Sequence, residues 1–167
     1  FGIDFQLNIN DLLEVTKLYE EEFYLISNHP SEKKQVSFAS LLNKPLILFP
    51  SVHQCRRILN QTSKDLNTIL EPIVETSSIP SILNLVSSGI GQSVVSRTLF
   101  EFYDTGDLFF QTVKQPSLTR TVYLVMKRNS FINYATREFI TLLISEIKKL
   151  HFDIETDSIN LLERNLS

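Results

Sequence analysis

The feature that most constrains the fold is a regular alternation of short strand-like runs with amphipathic helical stretches along most of the chain. The clearest run, Pro45–Phe49, is continuously apolar, which is typical of a strand buried on both faces of a parallel sheet. Glu22–Ser27 is rich in aromatic and apolar side chains and predicts another buried strand. Further strands are predicted at Glu71–Glu75, Gly91–Val95, Leu108–Val113 and Thr119–Met126.

Capping residues mark where helices begin after the first strands. Ser37 is placed to cap a short helix over Phe38–Leu42, and Ser51 is placed to cap a longer helix that runs to about Ser63. Ile58 and Leu59 are the expected buried contacts of the longer helix. Its residues expected to face solvent are Arg56, Arg57, Asn60 and Gln61.

The next helix has signals at both ends. Ser77 or Ser78 begins it, with Pro80 in the first turn, where a missing N–H group costs nothing. Gly89 is predicted to end it as a left-handed C-cap. The residues at helical spacing that should be buried are Ile79, Ile82, Leu83 and Val86.

The last clear helix is predicted to begin after Asn133 and to end near Leu150. Residues 151–167 form a weakly patterned tail, in which Ile159–Leu162 is a candidate terminal helix. The apolar stripe of the helix that starts after Asn133 is predicted at Ala135, Phe139, Leu142, Leu143 and Ile147.

This order of strands and helices predicts an α/β fold built from right-handed parallel βαβ units. A net charge of −3, with 16 dispersed basic residues against 19 acidic ones, argues against this segment as a main DNA-contacting surface. The apolar runs are too short to cross a bilayer, so no membrane partner is expected. Cys55 stands alone and cannot form an internal disulfide, which fits a cytoplasmic protein.

Two strand-to-helix turns are candidates for binding a small molecule, because ligands of open α/β sheets bind beyond the carboxyl ends of strands. The first is Pro50–His53, where the Ser51 hydroxyl and the backbone N–H groups of Val52 and His53 could meet a carboxylate. The second is Glu75–Ser78, with Thr76 and Ser77 as its candidate contacts. An ordinary helix cap remains the alternative interpretation of both turns.

A third candidate edge is Gly91–Ser93, where glycine permits close backbone approach and Gln92 and Ser93 offer neutral hydrogen bonds. Tight helix–strand packing is an equally good reason for the glycine. The three histidines do not show metal-ligand spacing with Cys55 or with paired carboxylates, and no glycine-rich phosphate loop is present. We therefore expect no metal, no cofactor and no enzymatic activity.

Five segments carry a resemblance to a known family. In order, they are Phe1-Gly-Ile-Asp4; Leu18–Ser27 with His29-Pro30; Ser37–Leu42 with Lys44–Phe49; Val86–Gly91 with Val94-Val95; and Leu118–Val125. Each is weak alone, but their order and spacing together resemble the effector-binding domain of LysR-type transcriptional regulators, over residues 1 to about 150.

The resemblance implies a fold like type 2 periplasmic binding proteins, with two Rossmann-like lobes joined by two crossover strands. Residues 1–28 and 118–150 would form the first lobe, residues 29–117 the second lobe, and residues 151–167 the C-terminal tail. A small polar or anionic effector would bind in a cleft between the lobes. The family's DNA-binding domain, and the first strand and helix of the first lobe, have no counterpart here, so we expect a fragment or a truncated product.

The resemblance also implies a homodimer or homotetramer in the full-length protein, with the helix over Gln54–Ser63 as the local half of the contact. DNA would be contacted only through a domain outside this chain. A solute-binding protein of the periplasmic type shares the lobed fold and is the alternative function.

Overall fold

The computed structural model describes residues 2–4, 11–129, 131–150 and 152, and the chain divides into two compact units. Unit 1 comprises Phe1–Glu21 and Arg120–Ser167, and unit 2 is Glu22–Thr119. The predicted lobe boundaries lay at 28/29 and 117/118, whereas the boundaries of the units lie at 21/22 and 119/120. The predicted terminal helix at Ile159–Leu162 lies outside the described residues.

Eight strands and five helices are described. The strands are β1 (Gly2–Asp4), β2 (Leu13–Ser27), β3 (Gln35–Ser37), β4 (Leu46–Leu48), β5 (Pro72–Glu75), β6 (Ser93–Ser96), β7 (Phe109–Lys114) and β8 (Thr119–Lys127). The helices are α1 (Phe38–Leu41), α2 (Gln54–Asp65), α3 (Ile79–Ser87), α4 (Arg97–Phe102) and α5 (Tyr134–Lys149). No described helix has both the length and the apolar character that a membrane span requires.

The sheet of unit 2 combines parallel and antiparallel pairs. β4 pairs in parallel with β5, and a parallel bridge between Leu46 and Gln92 joins β4 to the start of β6. The part of β2 in unit 2 pairs antiparallel with β6 and with β7, and β7 pairs in parallel with β3. The α/β class predicted from the sequence is therefore confirmed, although β3 was not predicted.

The helix α3 follows the sequence prediction closely. Ser78 caps it, Pro80 lies in its first turn, and Ile82, Leu83 and Val86 are buried. At its other end Gly89 has φ of +75° and donates to the Val86 carbonyl, while the N–H of Ile90 donates to the Leu85 carbonyl. These two bonds form a Schellman motif, which requires a left-handed residue and so favours glycine.

Strand β2 is longer than predicted, because it begins at Leu13 instead of Glu22. The acidic run Glu20–Glu22 lies within this strand. In the structure Glu21 is fully buried and forms an ion pair with Arg120 on β8, and Glu22 pairs with Lys114 on β7. The charges are tolerated in the strand because each of these two has a cationic partner on another strand.

Unit 1 packs α5 over a core that includes Leu18, Val122 and Leu124. The buried residues of α5 are Ile140, Ile144 and Ile147, and Leu143 is partly buried against the same core. The predicted stripe was therefore right at Ile147 and in part at Leu143, and wrong at Ala135, Phe139 and Leu142, which are exposed. Both sets recur at helical spacing, since α5 has apolar residues on two adjacent faces. Local periodicity cannot choose between such faces, and packing against the strands decides.

Candidate functional site

The two turns predicted to bind a ligand lie side by side at one edge of unit 2. In the parallel β4–β5 pair, Leu48 is opposite Glu75, and the N–H of Thr76 donates to the Leu48 carbonyl at 3.1 Å. The chain leaves β4 into Pro50–His53 and leaves β5 into Thr76–Ser78. Both turns then lead into helices, α2 and α3, whose N-termini carry partial positive charge.

The turn Pro50–His53 differs from the prediction in its helix cap and in its free N–H groups. His53, and not Ser51, is the N-cap of α2, and its Nδ1 accepts a hydrogen bond from the Cys55 N–H at 3.3 Å. The His53 N–H donates to the Pro50 carbonyl at 2.9 Å. Contrary to the prediction, this N–H is therefore not available to bind a carboxylate. The imidazole stacks on Phe49 at 4.0 Å between ring centroids. Ser51 and Val52 are exposed beside it.

The second turn is organised by hydroxyl groups. Thr76 Oγ1 accepts from the Ser78 N–H at 3.2 Å, and Ser78 Oγ accepts from the Ser81 N–H at 3.3 Å. The Ser81 hydroxyl also donates to Ser78 Oγ, at 2.9 Å. Ser78 is therefore the cap of α3, while Ser77 is an exposed residue of the turn.

The structure does not bring Gly91–Ser93 to this edge. Gln92 is paired with Leu46, at the start of β4, whereas the two turns follow the end of β4 and the end of β5. A Cβ atom on Gly91 would lie 2.4 Å from the Pro45 carbonyl oxygen, so glycine is required there by close strand packing. The sequence alone reveals neither the position of Gly91–Ser93 nor the close approach at Gly91, because both depend on how β6 pairs with β4.

Two side-chain atoms at Gly91–Ser93 are nonetheless unusual. Gln92 Oε1 and Ser93 Oγ are buried and have no hydrogen-bond partner within the described part of the chain. Ser93 is completely buried on β6. These residues are interior polar groups of unit 2, at the end of β4 away from the two turns.

Two candidate site residues that the sequence analysis did not identify, Ser96 and Arg97, lie at the other end of β6. Counting four residues along each parallel strand from the Leu46–Gln92 pair brings Ser96 level with Pro50. Arg97 follows and begins α4, with its Nε 3.7 Å from Glu101 Oε1. By this count the segment Ser96-Arg97 lies at the end of β6, at the level of the first turn.

A third missed residue is Arg56, which was predicted to be solvent-exposed. Its side chain is only 8% exposed and forms an ion pair with Glu75 at 2.8 Å. The single cysteine, Cys55, is also buried. Across residues 2–4, 11–129, 131–150 and 152, no three His, Cys, Asp or Glu side chains come together as a metal site requires.

Comparison with known proteins shows the family to which the chain belongs. The family model described as the LysR substrate binding domain matches residues 1–148. The HTH-type transcriptional regulator SoxR of Arthrobacter sp. (strain TE1826) is 25% identical over 126 residues, which are 74% of this chain and 42% of that protein. The transcriptional dual regulator GltC of Bacillus subtilis (strain 168) is 25% identical over 138 residues, 80% of this chain and 45% of its own length.

Among solved structures, the effector-binding domain of QuiR in complex with shikimate superposes with a TM-score of 0.68 and 18% identity. The match covers 90% of this chain and 72% of that domain, and at this identity it shows a shared fold. The chain spans less than half the length of the two curated relatives.

Proposed function

Because the chain belongs to the LysR substrate-binding domain family, we propose that it senses a small polar or anionic effector and thereby controls transcription by the protein of which it is part. The observation that carries this proposal is the pair of neighbouring turns, Pro50–His53 and Thr76–Ser78, at the carboxyl ends of β4 and β5. Polar turns at that edge are where open α/β sheets bind ligands.

The chemistry of the edge favours an anion or a strongly polar group. The N-termini of α2 and α3 attract negative charge, and Ser51, Thr76 and Ser77 offer hydroxyl groups beside them. Arg97 adds a cation at the end of β6. We include Ser96 and Arg97 in the proposed site and omit Gly91, Gln92 and Ser93, because the last three lie at the start of β6.

DNA recognition, in this proposal, belongs to a part of the protein outside this chain. The relatives named as transcriptional regulators support that arrangement and a cytoplasmic location, and they give no support to the solute-binding alternative. Regulation then requires only an effector that binds one conformation of the protein more tightly than another. Neither role needs catalysis by this chain.

The effector site can be tested by thermal denaturation of the 167-residue chain with shikimate, succinate, benzoate, L-glutamate and inorganic phosphate, with glycerol as an uncharged control. We expect at least one anion to raise the melting temperature, since a ligand bound only to the folded state stabilises it. For that anion, Ser51→Ala and Ser77→Ala should each raise the dissociation constant by about tenfold, the typical effect of losing one hydrogen bond to a charged group.

A matched control is Ser87→Ala, which changes another exposed serine at the opposite end of α3 from Ser77. This variant should bind the same anion as tightly as the unmodified chain. If no panel member stabilises the protein, or if Ser87→Ala weakens binding as much as Ser77→Ala, the proposed site is wrong.

We also propose that the protein self-associates through the side of unit 2 that carries α2. Support comes from three exposed apolar residues that follow α2 or lie on the neighbouring edge strand β5, namely Leu66, Ile69 and Ile73. Burial of such side chains between two copies is the usual basis of a dimer. Ile69→Lys should reduce the mass measured by sedimentation equilibrium to that of a monomer, and an unchanged mass would refute this interface.

A further inference from the structure

Arg56 connects the ends of two parallel strands through its guanidinium. Nη1 donates to the Phe49 carbonyl at 3.3 Å and to Glu75 Oε1 at 2.8 Å. Nη2 donates to the Leu70 carbonyl at 3.4 Å, and Nε donates to Asn60 Oδ1 at 2.8 Å. Four of the five N–H bonds of the side chain are therefore used, in a nearly buried position.

Two of the four partners of Arg56 adjoin the two turns. Phe49 directly precedes Pro50–His53, and Glu75 directly precedes Thr76–Ser78. Arg56 itself belongs to the first turn of α2, three residues after the His53 cap. Both bonds to these partners come from Nη1, and the directions of its two N–H groups are fixed because Asn60 and Leu70 hold Nε and Nη2 of the same plane. An ammonium group has no such plane and cannot be held in this way.

The same contact controls charge at the edge. The Glu75 side chain is 45% exposed and its residue ends β5, four positions before α3 begins, so an uncompensated carboxylate there would repel an anionic ligand at the two turns. Arg56 compensates that charge and keeps Glu75 Oε1 directed toward α2.

We propose that Arg56 is a positioning residue of the effector site, which fixes the separation of the turns Pro50–His53 and Thr76–Ser78 without itself touching the effector. This inference rests on the proposed function, because that function gives the two turns their ligand. It accounts for a buried arginine at this position, where an apolar residue would satisfy the packing of α2.

The test compares Arg56→Lys with two controls on the same helix. Arg56→Lys keeps a positive charge beside Glu75 but cannot make the four bonds, so it isolates the geometry of the guanidinium. Leu59→Ala removes a buried side chain of α2 that does not bond to either turn, and it serves as a control for general destabilisation. Arg57→Lys changes an exposed arginine and controls for the substitution itself.

The first measurement is amide hydrogen exchange without ligand. The informative amides are those of His53, bonded to the Pro50 carbonyl, and of Thr76, bonded to the Leu48 carbonyl. Arg56→Lys should speed their exchange by about tenfold relative to Leu59→Ala, because local opening at the turns becomes easier. The Gln92 amide, bonded to the Pro45 carbonyl at the other end of β4, should not differ between the two variants.

The second measurement is the dissociation constant, by calorimetry well below all melting temperatures, for succinate, or for shikimate if only shikimate stabilises the unmodified chain. Arg56→Lys should bind it about tenfold more weakly, whereas Leu59→Ala and Arg57→Lys should bind it normally. A purely structural arginine would lower the melting temperature and leave this constant unchanged.

The outcomes separate the two proposals. If Arg56→Lys matches Leu59→Ala in both exchange and affinity, the positioning role is refuted and the effector site stands. If neither succinate nor shikimate stabilises the unmodified chain, the exchange result decides the role of Arg56 at the turns by itself. Equal exchange of His53 and Thr76 in the two variants would then refute it.

Discussion

Units 1 and 2 differ in how completely their helices are buried. In unit 2, α2 and α3 direct their large apolar residues into one core, which includes Leu59, Ile82 and Val86. In unit 1, α5 buries Ile140, Ile144 and Ile147 but leaves Leu142 61% exposed and Phe139 39% exposed. The strand β1 of unit 1 is also exposed along its length. The helices α2 and α3 of unit 2 therefore cover their apolar faces more fully than α5 of unit 1 does, although α4 of unit 2 leaves Phe102 66% exposed.

This comparison teaches that the candidate site is built at the start of two helices, α2 and α3, whose apolar faces are well covered. The two turns, Arg56 and the end of β6 all belong to residues 22–119. A rigid support of this kind suits a binding site, because binding residues must be held in place by packing and by hydrogen bonds.

The largest effect is expected from a core residue of unit 2. Ile82→Ala removes a fully buried side chain and should lower the free energy of unfolding by about 2–5 kcal/mol. The matched change in unit 1, Leu142→Ala, should alter it by less than about 0.5 kcal/mol, because the side chain is mostly exposed. Urea denaturation followed by circular dichroism measures both. Equal losses would mean that the outer face of α5 is covered in solution, which would break the comparison.

The next largest effect concerns ion pairs within unit 1. Glu21→Gln leaves Arg120 without its carboxylate in a nearly buried position and should cost about 3 kcal/mol. Glu146→Gln removes the exposed pair with Lys149 on α5 and should cost less than about 0.5 kcal/mol. The same urea titrations test this difference. A negligible cost for Glu21→Gln would show that the pair does not stabilise the strands β2 and β8.

The smallest effect compares one helix cap in each unit. Asn133 Oδ1 accepts from the Thr136 N–H at 2.9 Å at the start of α5, and Ser78 Oγ has the same role in α3. Replacing either residue by alanine should cost about 1 kcal/mol, the usual value of an N-cap. Thermal denaturation of the two variants measures both stability losses and so compares the two units directly. A loss several times larger at Asn133 would indicate that unit 1 depends more on local helix stability than on its core.

Much of the fold could be predicted because its signals are local. Ser78, Pro80, Gly89 and Asn133 act on hydrogen bonds within a few residues of themselves, so their identity and order reveal helix ends. The buried run at β4 was equally clear, because a short, continuous apolar stretch is typical of a strand covered on both faces. Two of the three predicted edges, at Ser51 and at Thr76, also lie together in the structure, although whether they bind an effector stays a prediction.

Tertiary structure decided what local signals leave open. The sequence by itself determined the succession of strands and helices, the caps of α3 and α5 and the α/β class. Only packing decided which face of α5 is buried, that Arg56 lies inside between two strand ends, and that Ser96, instead of Gly91, comes level with Pro50. The physical reason is the separation along the chain between the interacting residues. A cap or a turn is stabilised by neighbours in sequence, whereas strand register and the burial of a charge depend on partners far along the chain.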